Sequence, residues 1–201
     1  MKNLKIVFMI TAILGALFVL NSCTALENKS KSSSYMTIDK LGAADLQGQP
    51  ADFLQSDVQK INSTTQSPYV TADIGTATLT AHTLDPMPAL GTSPYEDIML
   101  TRYIVHYSRS DGKSAEGMDV PYAFEGALNV LLKVDQNTDI SFALVREVAK
   151  MEPPLLNLAG KRDVGVLEVK ARVDFYGHDM ADNAVTATGT ITIFFADYIT
   201  E

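Results

Sequence analysis

Strict alternation of apolar and polar residues is the feature that most narrows what this chain can fold into. The clearest run, at 167–175, sets apolar residues against charged ones: Leu167, Val169, Ala171, Val173 and Phe175 against Glu168, Lys170, Arg172 and Asp174. A second run, at 185–195, sets apolar residues against threonines at 186, 188, 190 and 192. A period of two, rich in β-branched residues, predicts strands with one buried face and one wet face.

Further runs at 76–83, 98–107 and 128–134 bring the predicted number of strands to between six and eight. Turn-forming residues separate these runs, most clearly at Ser110-Asp111-Gly112 and in the loop 177–183. Short strands at this spacing predict an all-β, antiparallel two-sheet sandwich. The segment 140–150 fits both strand and helix; we favour a strand that ends before Glu152-Pro153-Pro154.

The amino end has the pattern of an export signal. Lys2 and Lys5 precede an uncharged stretch, residues 6–20, that is shorter than the roughly 20 residues a helix needs to cross a bilayer. The next residues are Leu20-Asn21-Ser22-Cys23. They resemble the lipobox of bacterial lipoproteins, in which an aliphatic residue stands three places before the cysteine and a small residue stands directly before it.

This resemblance implies a signal peptide over residues 1–22, cleaved between Ser22 and Cys23. Cys23 would then carry a diacylglyceryl group, with a further acyl chain such as palmitate on its new amino group. Cys23 is the single cysteine of the chain, and a lone thiol has no disulfide partner in an oxidising compartment. Secretion without a lipid, or an uncleaved anchor, is the alternative. Thr24 favours the outer membrane over the inner one in a Gram-negative cell.

Composition predicts a tether followed by one domain. Residues 23–52 hold few large apolar groups and many Ser, Lys, Gln and Gly residues, which indicates a flexible tether with a mean reach of roughly 30 Å. Residues 53–201 would form the sandwich. Removing the two lysines of the signal peptide takes the net charge from −8 to −10, which argues against nucleic acid as a partner.

Two stretches of the predicted domain resemble known proteins. The segment 177–195, GHDMADNAVTATGTITIFF, resembles the closing hairpin of bacterial immunoglobulin-like and fibronectin-type domains. Four short motifs are similar to those of a group of envelope lipoproteins: Asp111-Gly112, Val120–Tyr122, Lys150–Leu155 and Phe194–Tyr198. These resemblances imply an immunoglobulin-like sandwich and no particular activity.

Residues suited to catalysis are scattered along the sequence. A serine hydrolase commonly has a Gly-x-Ser-x-Gly elbow, which the chain lacks. His82 and His106 lie on the polar faces of predicted strands, and His178 lies in a turn. Zinc would need clustered His or Cys ligands. We therefore expect a protein that is not an enzyme and holds no cofactor beyond its covalent lipid.

Calcium is the one metal for which the sequence offers a candidate site. Asp174, Asp179, Asp182 and Asn183 fall near one hairpin end, and calcium takes oxygen ligands from such loops. Asp and Asn also dominate turns for purely conformational reasons, so an ordinary turn is the alternative interpretation.

Aromatic residues have two possible roles. Tyrosines can form binding faces, but Tyr103 and Tyr107 share the apolar side of one predicted strand and are expected in the core. Phe194 and Phe195 point to opposite faces, so the tether, a loop or a partner must cover one of them. Together these features predict a non-catalytic cell-envelope lipoprotein that binds an envelope protein and is held at the membrane by its lipid. An envelope or extracellular polymer hydrolase and a calcium-stabilised adhesion-type module are the alternatives.

Overall fold

A computed structural model describes residues 31–85, 87, 91–161 and 165–198. The strands within this part of the chain are β1 (Ser34–Ala44), β2 (Pro50–Ala51), β3 (Phe53–Asp57), β4 (Lys60–Ile61), β5 (Pro68–Tyr69), β6 (Asp73–Thr83), β7 (Ile98–Arg109), β8 (Phe124–Leu132), β9 (Asn137–Val145), β10 (Leu167–Asp179) and β11 (Ala184–Ala196). One helical turn, α1, spans Glu147–Lys150, and short 3-10 helices span Pro94–Glu96 and Leu155–Asn157.

The strands form two main sheets. One has the order β2-β1-β6-β9, the other has the order β3-β11-β10-β7-β8, and β4 and β5 make a separate two-stranded ribbon. Neighbouring strands are antiparallel except for β3, which runs parallel to β11. The predicted all-β, antiparallel sandwich is therefore confirmed.

The core lies between the two sheets and is built from the apolar side of each alternating run. Val169, Ala171, Val173 and Phe175 of β10 are fully buried. The rings of Phe142 on β9 and Phe175 on β10 meet edge to face, with centroids 5.3 Å apart, and so join the sheets. Burial of the alternating side chains removes their apolar surface from water, and this stabilises the fold by about 25 cal/mol for each Å² buried.

The predicted aromatic core is confirmed. Tyr103 and Tyr107 are each 5% exposed, and the Tyr107 hydroxyl donates a hydrogen bond of 2.7 Å to the backbone carbonyl oxygen of Leu144 in the opposite sheet. Phe195 is buried, whereas Phe194 is half-buried on the outer face and packs against Phe53 of the adjacent β3. The side chain that covers Phe194 therefore comes from β3.

The tether prediction is wrong over its second half. Ser34–Ala44 form β1, which pairs with β6 from Ser34↔Thr83 to Gly42↔Thr76 and places Met36 and Ala43 in the core. A bulge between Ile38 and Lys40 shifts the register and interrupts the alternation of apolar residues. The sequence of this segment therefore does not predict a strand. The folded domain therefore begins well before residue 53.

The ambiguous segment 140–150 contains both predicted structures. Strand β9 continues to Val145, and α1 then occupies Glu147–Lys150. The strand prediction is thus correct up to Val145 and wrong beyond it. No helix among the described residues is long and apolar enough to cross a membrane. The predicted signal peptide, the cleavage site and Cys23 lie outside the described residues.

The strands run between two ends of the domain. The N-terminal pole holds the start of β1, the end of β6 and the β10–β11 turn, because Ser34 pairs with Thr83 and His178 pairs with Ala184. The distal pole holds the β4–β5 ribbon, α1 and the end of β11. With 13 residues in β11, the poles lie about 40 Å apart. The chain reaches the fold at the N-terminal pole.

Candidate binding site

Two clefts adjoin at the distal pole. The first, here the polar cleft, has a volume of about 490 Å³ and lies between the β1–β2 turn, β3, the β4–β5 ribbon and the start of β6. Its charged lining residues are Asp45, Asp57, Lys60 and Asp73. Three carboxyl groups and one ammonium give this cleft an acidic lining.

The second cleft, here the apolar cleft, has a volume of about 300 Å³. Aliphatic and thioether side chains dominate its lining, among them Val58, Val70, Met151 and Leu156. Tyr69 lines both clefts and is 45% exposed, so one aromatic ring forms part of each wall. A cleft that joins an apolar wall to a few charged groups is the usual form of a binding site.

A buried lysine lies beneath the two clefts. The side chain of Lys150 in α1 is fully buried, and its Nζ lies 2.9 Å from Oδ2 of Asp73 and 2.8 Å from the backbone carbonyl oxygen of Asp57. Ser56 Oγ donates a hydrogen bond of 2.6 Å to the same Asp73 oxygen. The ammonium therefore has a counter-ion and a second acceptor, and the cluster joins α1 to β3 and β6.

Asp57 contributes the one unsatisfied buried side-chain oxygen found in the described part of the chain. The residue is 3% exposed, and its Oδ1 accepts hydrogen bonds of 3.3 Å from the backbone N–H groups of Gln59 and Tyr198. Its Oδ2 has no hydrogen-bond partner. Burial raises the pKa of Asp57 above its ordinary value of 3.8, and the opposing hydrogen bonds and the Lys150 charge do not reverse the rise.

Lys150 and Asp73 form the ion pair, and the Ser56 hydroxyl supports it by donating to Asp73. A serine nucleophile activated by lysine needs a hydroxyl proton directed at a neutral amine. Here the Ser56 hydroxyl donates to Asp73, and the Lys150 amine donates to two oxygens. This geometry holds a positive charge in place and gives the floor of the clefts a fixed shape.

A second polar group lies on the outer face of the four-stranded sheet. His82 Nε2 is 3.2 Å from Thr37 Oγ1, and His82 Nδ1 is 3.4 Å from Asp135 Oδ1. The order hydroxyl, imidazole, carboxylate is that of a catalytic triad. The Thr37 hydroxyl, however, donates its proton to Asp39 Oδ1 at 2.9 Å. The group therefore lacks the hydroxyl proton that a histidine base would take.

The other two histidines are half-exposed. His106 Nε2 lies 3.7 Å from Asp174 Oδ2, and His178 Nδ1 lies 3.6 Å from Asp182 Oδ1. The three histidines belong to three different clusters, as their scattered positions in the sequence predicted. The prediction that His178 lies in a turn is wrong, because His178 belongs to β10 and pairs with Ala184.

The candidate calcium ligands are only partly brought together. Asp179 is fully buried, and it accepts hydrogen bonds from Ser32 Oγ at 2.7 Å, from the Ala181 backbone N–H at 3.0 Å and from both the backbone and side chain of Asn183. Burial alone would raise the pKa of Asp179, but these hydrogen bonds outweigh it and hold the pKa below its ordinary value. The carboxylate thus closes the turn.

Asp174 is held elsewhere, by Arg172 at 3.1 Å and Thr188 at 2.7 Å. Across the described ranges, no group of three or more His, Cys, Asp or Glu residues is placed to hold a metal ion. Calcium binding stays a prediction from the sequence.

No protein-family model, curated protein or solved structure matches this chain. The fold and the clefts define its class, an all-β sandwich with a paired cleft at one pole. No pattern in the sequence predicted the residues that make the two clefts. Lys150 follows Val148-Ala149, but the charged residues Arg146 and Glu147 stand just before it, so its local sequence does not distinguish it from an exposed lysine.

Proposed function

We propose that this protein is a non-catalytic lipoprotein of the cell envelope that acts as a binding or assembly module. Acylated Cys23 would hold it at the membrane, the outer membrane in a Gram-negative cell. The lipobox Leu20–Cys23 and the preceding uncharged stretch support the anchor. One acyl chain binds a membrane only marginally, so the two or three chains of a lipoprotein would make the attachment firm.

The strand order supports a specifically immunoglobulin-like sandwich. In that fold the first, second and fifth strands share one sheet, and the third, sixth and seventh share the other. Here β1, β6 and β9 lie in one sheet, and β7, β10 and β11 lie in the other. The chain crosses between the sheets after β1, so that β3 runs parallel to β11. Many cell-surface domains share this sandwich architecture, which agrees with the proposed role.

The paired cleft at the distal pole is the observation that carries the binding proposal. Its rim exposes large apolar side chains, and an exposed apolar patch of this kind marks a surface that another protein can cover. These side chains are Ile61 at 44%, Tyr69 at 45%, Leu156 at 49% and Met151 at 52%. The chain enters at the opposite pole, so the lipid would leave this cleft facing away from the membrane. We infer a protein partner that presents an apolar side chain to the apolar cleft and a polar group to the polar cleft, where Lys150 already pairs with Asp73.

Photo-crosslinking in intact cells tests this proposal. A photoreactive amino acid would replace Tyr69 or Leu156 on the cleft rim, and Lys170 on the outer sheet face would be the control position. We expect one dominant envelope protein to be crosslinked from both rim positions and not from Lys170. Adducts that form equally from all three positions, or none from the rim, would contradict the assignment. Leu156→Asp should abolish the adduct formed at position 69.

A separate experiment tests the anchor. Cells expressing the full chain would be grown with labelled palmitate, and Cys23→Ala would be compared with Cys23 intact. Only the chain with Cys23 should incorporate label and show an acylated cysteine as its first residue by mass spectrometry. Label in the Cys23→Ala variant would show that the acyl group is attached elsewhere.

A further inference from the structure

The exposed large apolar side chains of the described residues lie near the ends of strands, and one group surrounds the point where the chain enters the fold. Tyr35 is 44% exposed, Leu84 61%, Tyr95 69% and Met180 45%. We call these four residues the N-terminal collar. Met87, in the same β6–β7 connection as Leu84 and Tyr95, is 85% exposed. By contrast, the outer face of β10 between the poles carries charged residues at 168, 170 and 172.

Hydrogen bonds fix the collar around the entering chain. Ser32 Oγ donates to Asp179 Oδ2 at 2.7 Å, and the backbone N–H of Leu84 donates to the carbonyl oxygen of Ser33 at 2.7 Å. The backbone N–H of Met180 in turn donates to the carbonyl oxygen of Tyr95 at 3.1 Å. The collar therefore stands on ordered backbone that is bound to the first residues of the domain.

The length of chain before this point limits how far the collar can be from an acylated Cys23. Nine residue steps separate Cys23 from Ser32, and a fully extended chain advances about 3.5 Å for each, so the separation is at most about 30 Å. The fold itself is about 40 Å long. The lipid would therefore hold the N-terminal pole close to the bilayer and keep the distal pole beyond it.

We propose that the N-terminal collar rests on the lipid headgroup region of the membrane that holds Cys23. This inference rests on the proposed anchor and adds an orientation to it. Tyrosine suits the interface between headgroups and acyl chains because its ring is apolar and its hydroxyl stays hydrated, and leucine and methionine supply apolar area beside it.

The charges near the collar point to a zwitterionic surface. Asp182 has a side chain that is 94% exposed, and Asp135 one that is 67% exposed, and both belong to turns at this pole. Asp85, directly after Leu84, is exposed as well. The exposed basic residues at this pole are Lys31 and Lys133, so the three carboxylates outnumber the two ammonium groups. Anionic lipids attract clusters of Lys and Arg, whereas these carboxylates would be repelled by them. Phosphatidylcholine or phosphatidylethanolamine headgroups fit the collar better.

Depth-dependent fluorescence quenching tests the proposal on the full, acylated protein in phosphatidylcholine vesicles. Tyr95→Cys and Met180→Cys would each receive an environment-sensitive fluorophore, and acylation leaves no native thiol to compete for it. Leu156→Cys at the distal pole is the matched control, because Leu156 and Met180 are similarly exposed, at 49% and 45%. The quencher would be a phospholipid that carries a nitroxide on its headgroup.

We expect quenching at positions 95 and 180 to exceed that at position 156 at least threefold. Equal quenching at all three positions on protein that is acylated and vesicle-bound would overturn the collar proposal and leave the anchor intact. Absence of the acyl group by mass spectrometry would overturn both. Quenching that increases when phosphatidylglycerol replaces half of the phosphatidylcholine would overturn the zwitterionic assignment. If the fluorophores at positions 95 and 180 were protected from quenching only at high protein density, and dimers could be crosslinked there, the collar would instead bind a second copy of the chain.

Discussion

At the residue scale, Lys150 determines how the distal pole is built. Its side chain is fully buried, and its ammonium joins Asp73 on β6 and the backbone of Asp57 on β3. A buried ion pair often adds little net stability relative to an apolar replacement, but a single unpaired charge in the same place is strongly unfavourable. The pair therefore acts mainly by fixing α1 over the end of the sandwich.

Lys150→Met should lower the free energy of unfolding by about 3 kcal/mol, because it leaves the Asp73 carboxylate, only 12% exposed, without its counter-ion. Chemical denaturation at pH 7 would measure the loss, with Lys170→Met on the exposed sheet face as the control. The double variant Lys150→Met, Asp73→Leu should recover part of the stability, since it removes both charges. A loss below 1 kcal/mol in the single variant would show that the ion pair is dispensable.

Asp57 should make the protein less stable as the pH rises. Because burial raises the pKa of Asp57 in the folded state, the unfolded chain releases this proton first, and stability falls from about pH 4 until the folded-state pKa is passed. Asp57→Asn removes the penalty while keeping an oxygen for the N–H groups of Gln59 and Tyr198. The free energy of unfolding of the variant should exceed that of the wild type by about 1 kcal/mol at pH 7.

The gain from Asp57→Asn should disappear near pH 3, below the ordinary value of 3.8, where the wild-type carboxyl is protonated in both states. Denaturation at the two pH values would measure it, and exposed Asp52→Asn should show no such dependence. If the variant were less stable relative to wild type at pH 7 than it is at pH 3, the direction of the pKa shift would be contradicted.

At the element scale, the sequence predicted strands well where the alternation was unbroken. Strands β10 and β11 pair over twelve positions without a register shift between them, and the alternation of apolar and polar residues predicted both. The loop predicted at 177–183 is shorter, because β10 continues to Asp179. Strand β1 was missed because its bulge and its small residues hide the period of two. The cleft was missed for a different reason: Asp57, Asp73 and Lys150 lie far apart in the sequence, and only the packing of β3, β6 and α1 brings them together.

Gly126 shows a close approach between elements that no local pattern reveals. It pairs with Tyr103 across β8 and β7, and a methyl group at position 126 would overlap the Tyr103 ring. That ring cannot move aside easily, since it packs against Phe124, Phe142 and Phe175. Gly126→Ala should therefore lower the free energy of unfolding by about 3 kcal/mol.

Gly189→Ala is the matched control for Gly126→Ala. It also adds a methyl group within a strand, but that group would stand 3.0 Å from the flexible ends of Ile38 and Leu41, which can adjust. Denaturation of both variants would compare them. If Gly126→Ala were no more destabilising than Gly189→Ala, the ring of Tyr103 would not be as fixed as its neighbours indicate.

At the scale of the whole molecule, the domain has two distinct ends, and the outer faces of its sheets connect them. The N-terminal pole receives the chain, and Ser32 is already hydrogen-bonded to the buried Asp179. The distal pole holds the paired cleft and the ion pair beneath it. The sequence predicted an anchored sandwich but not this division. Which residues lie at each pole depends on which strand ends are neighbours. The order of strands in the two sheets determines those neighbours, and no single segment of the sequence does.

The extent of the folded domain gives the prediction at this scale. A chain that begins at Ser32 keeps β1 and the Ser32–Asp179 hydrogen bond, so its melting temperature should equal that of the chain beginning at Cys23. A chain that begins at Asp45 lacks β1, which pairs with β6, packs Ile38 and Leu41 toward β11 and buries Met36. Its loss would expose the backbone of β6 and apolar core surface together, so this shorter chain should not unfold cooperatively. Circular dichroism during heating and limited proteolysis would distinguish the three chains. Cooperative melting of the chain from Asp45 at the same temperature would mean that β1 is an appendage and that the tether does extend to residue 44.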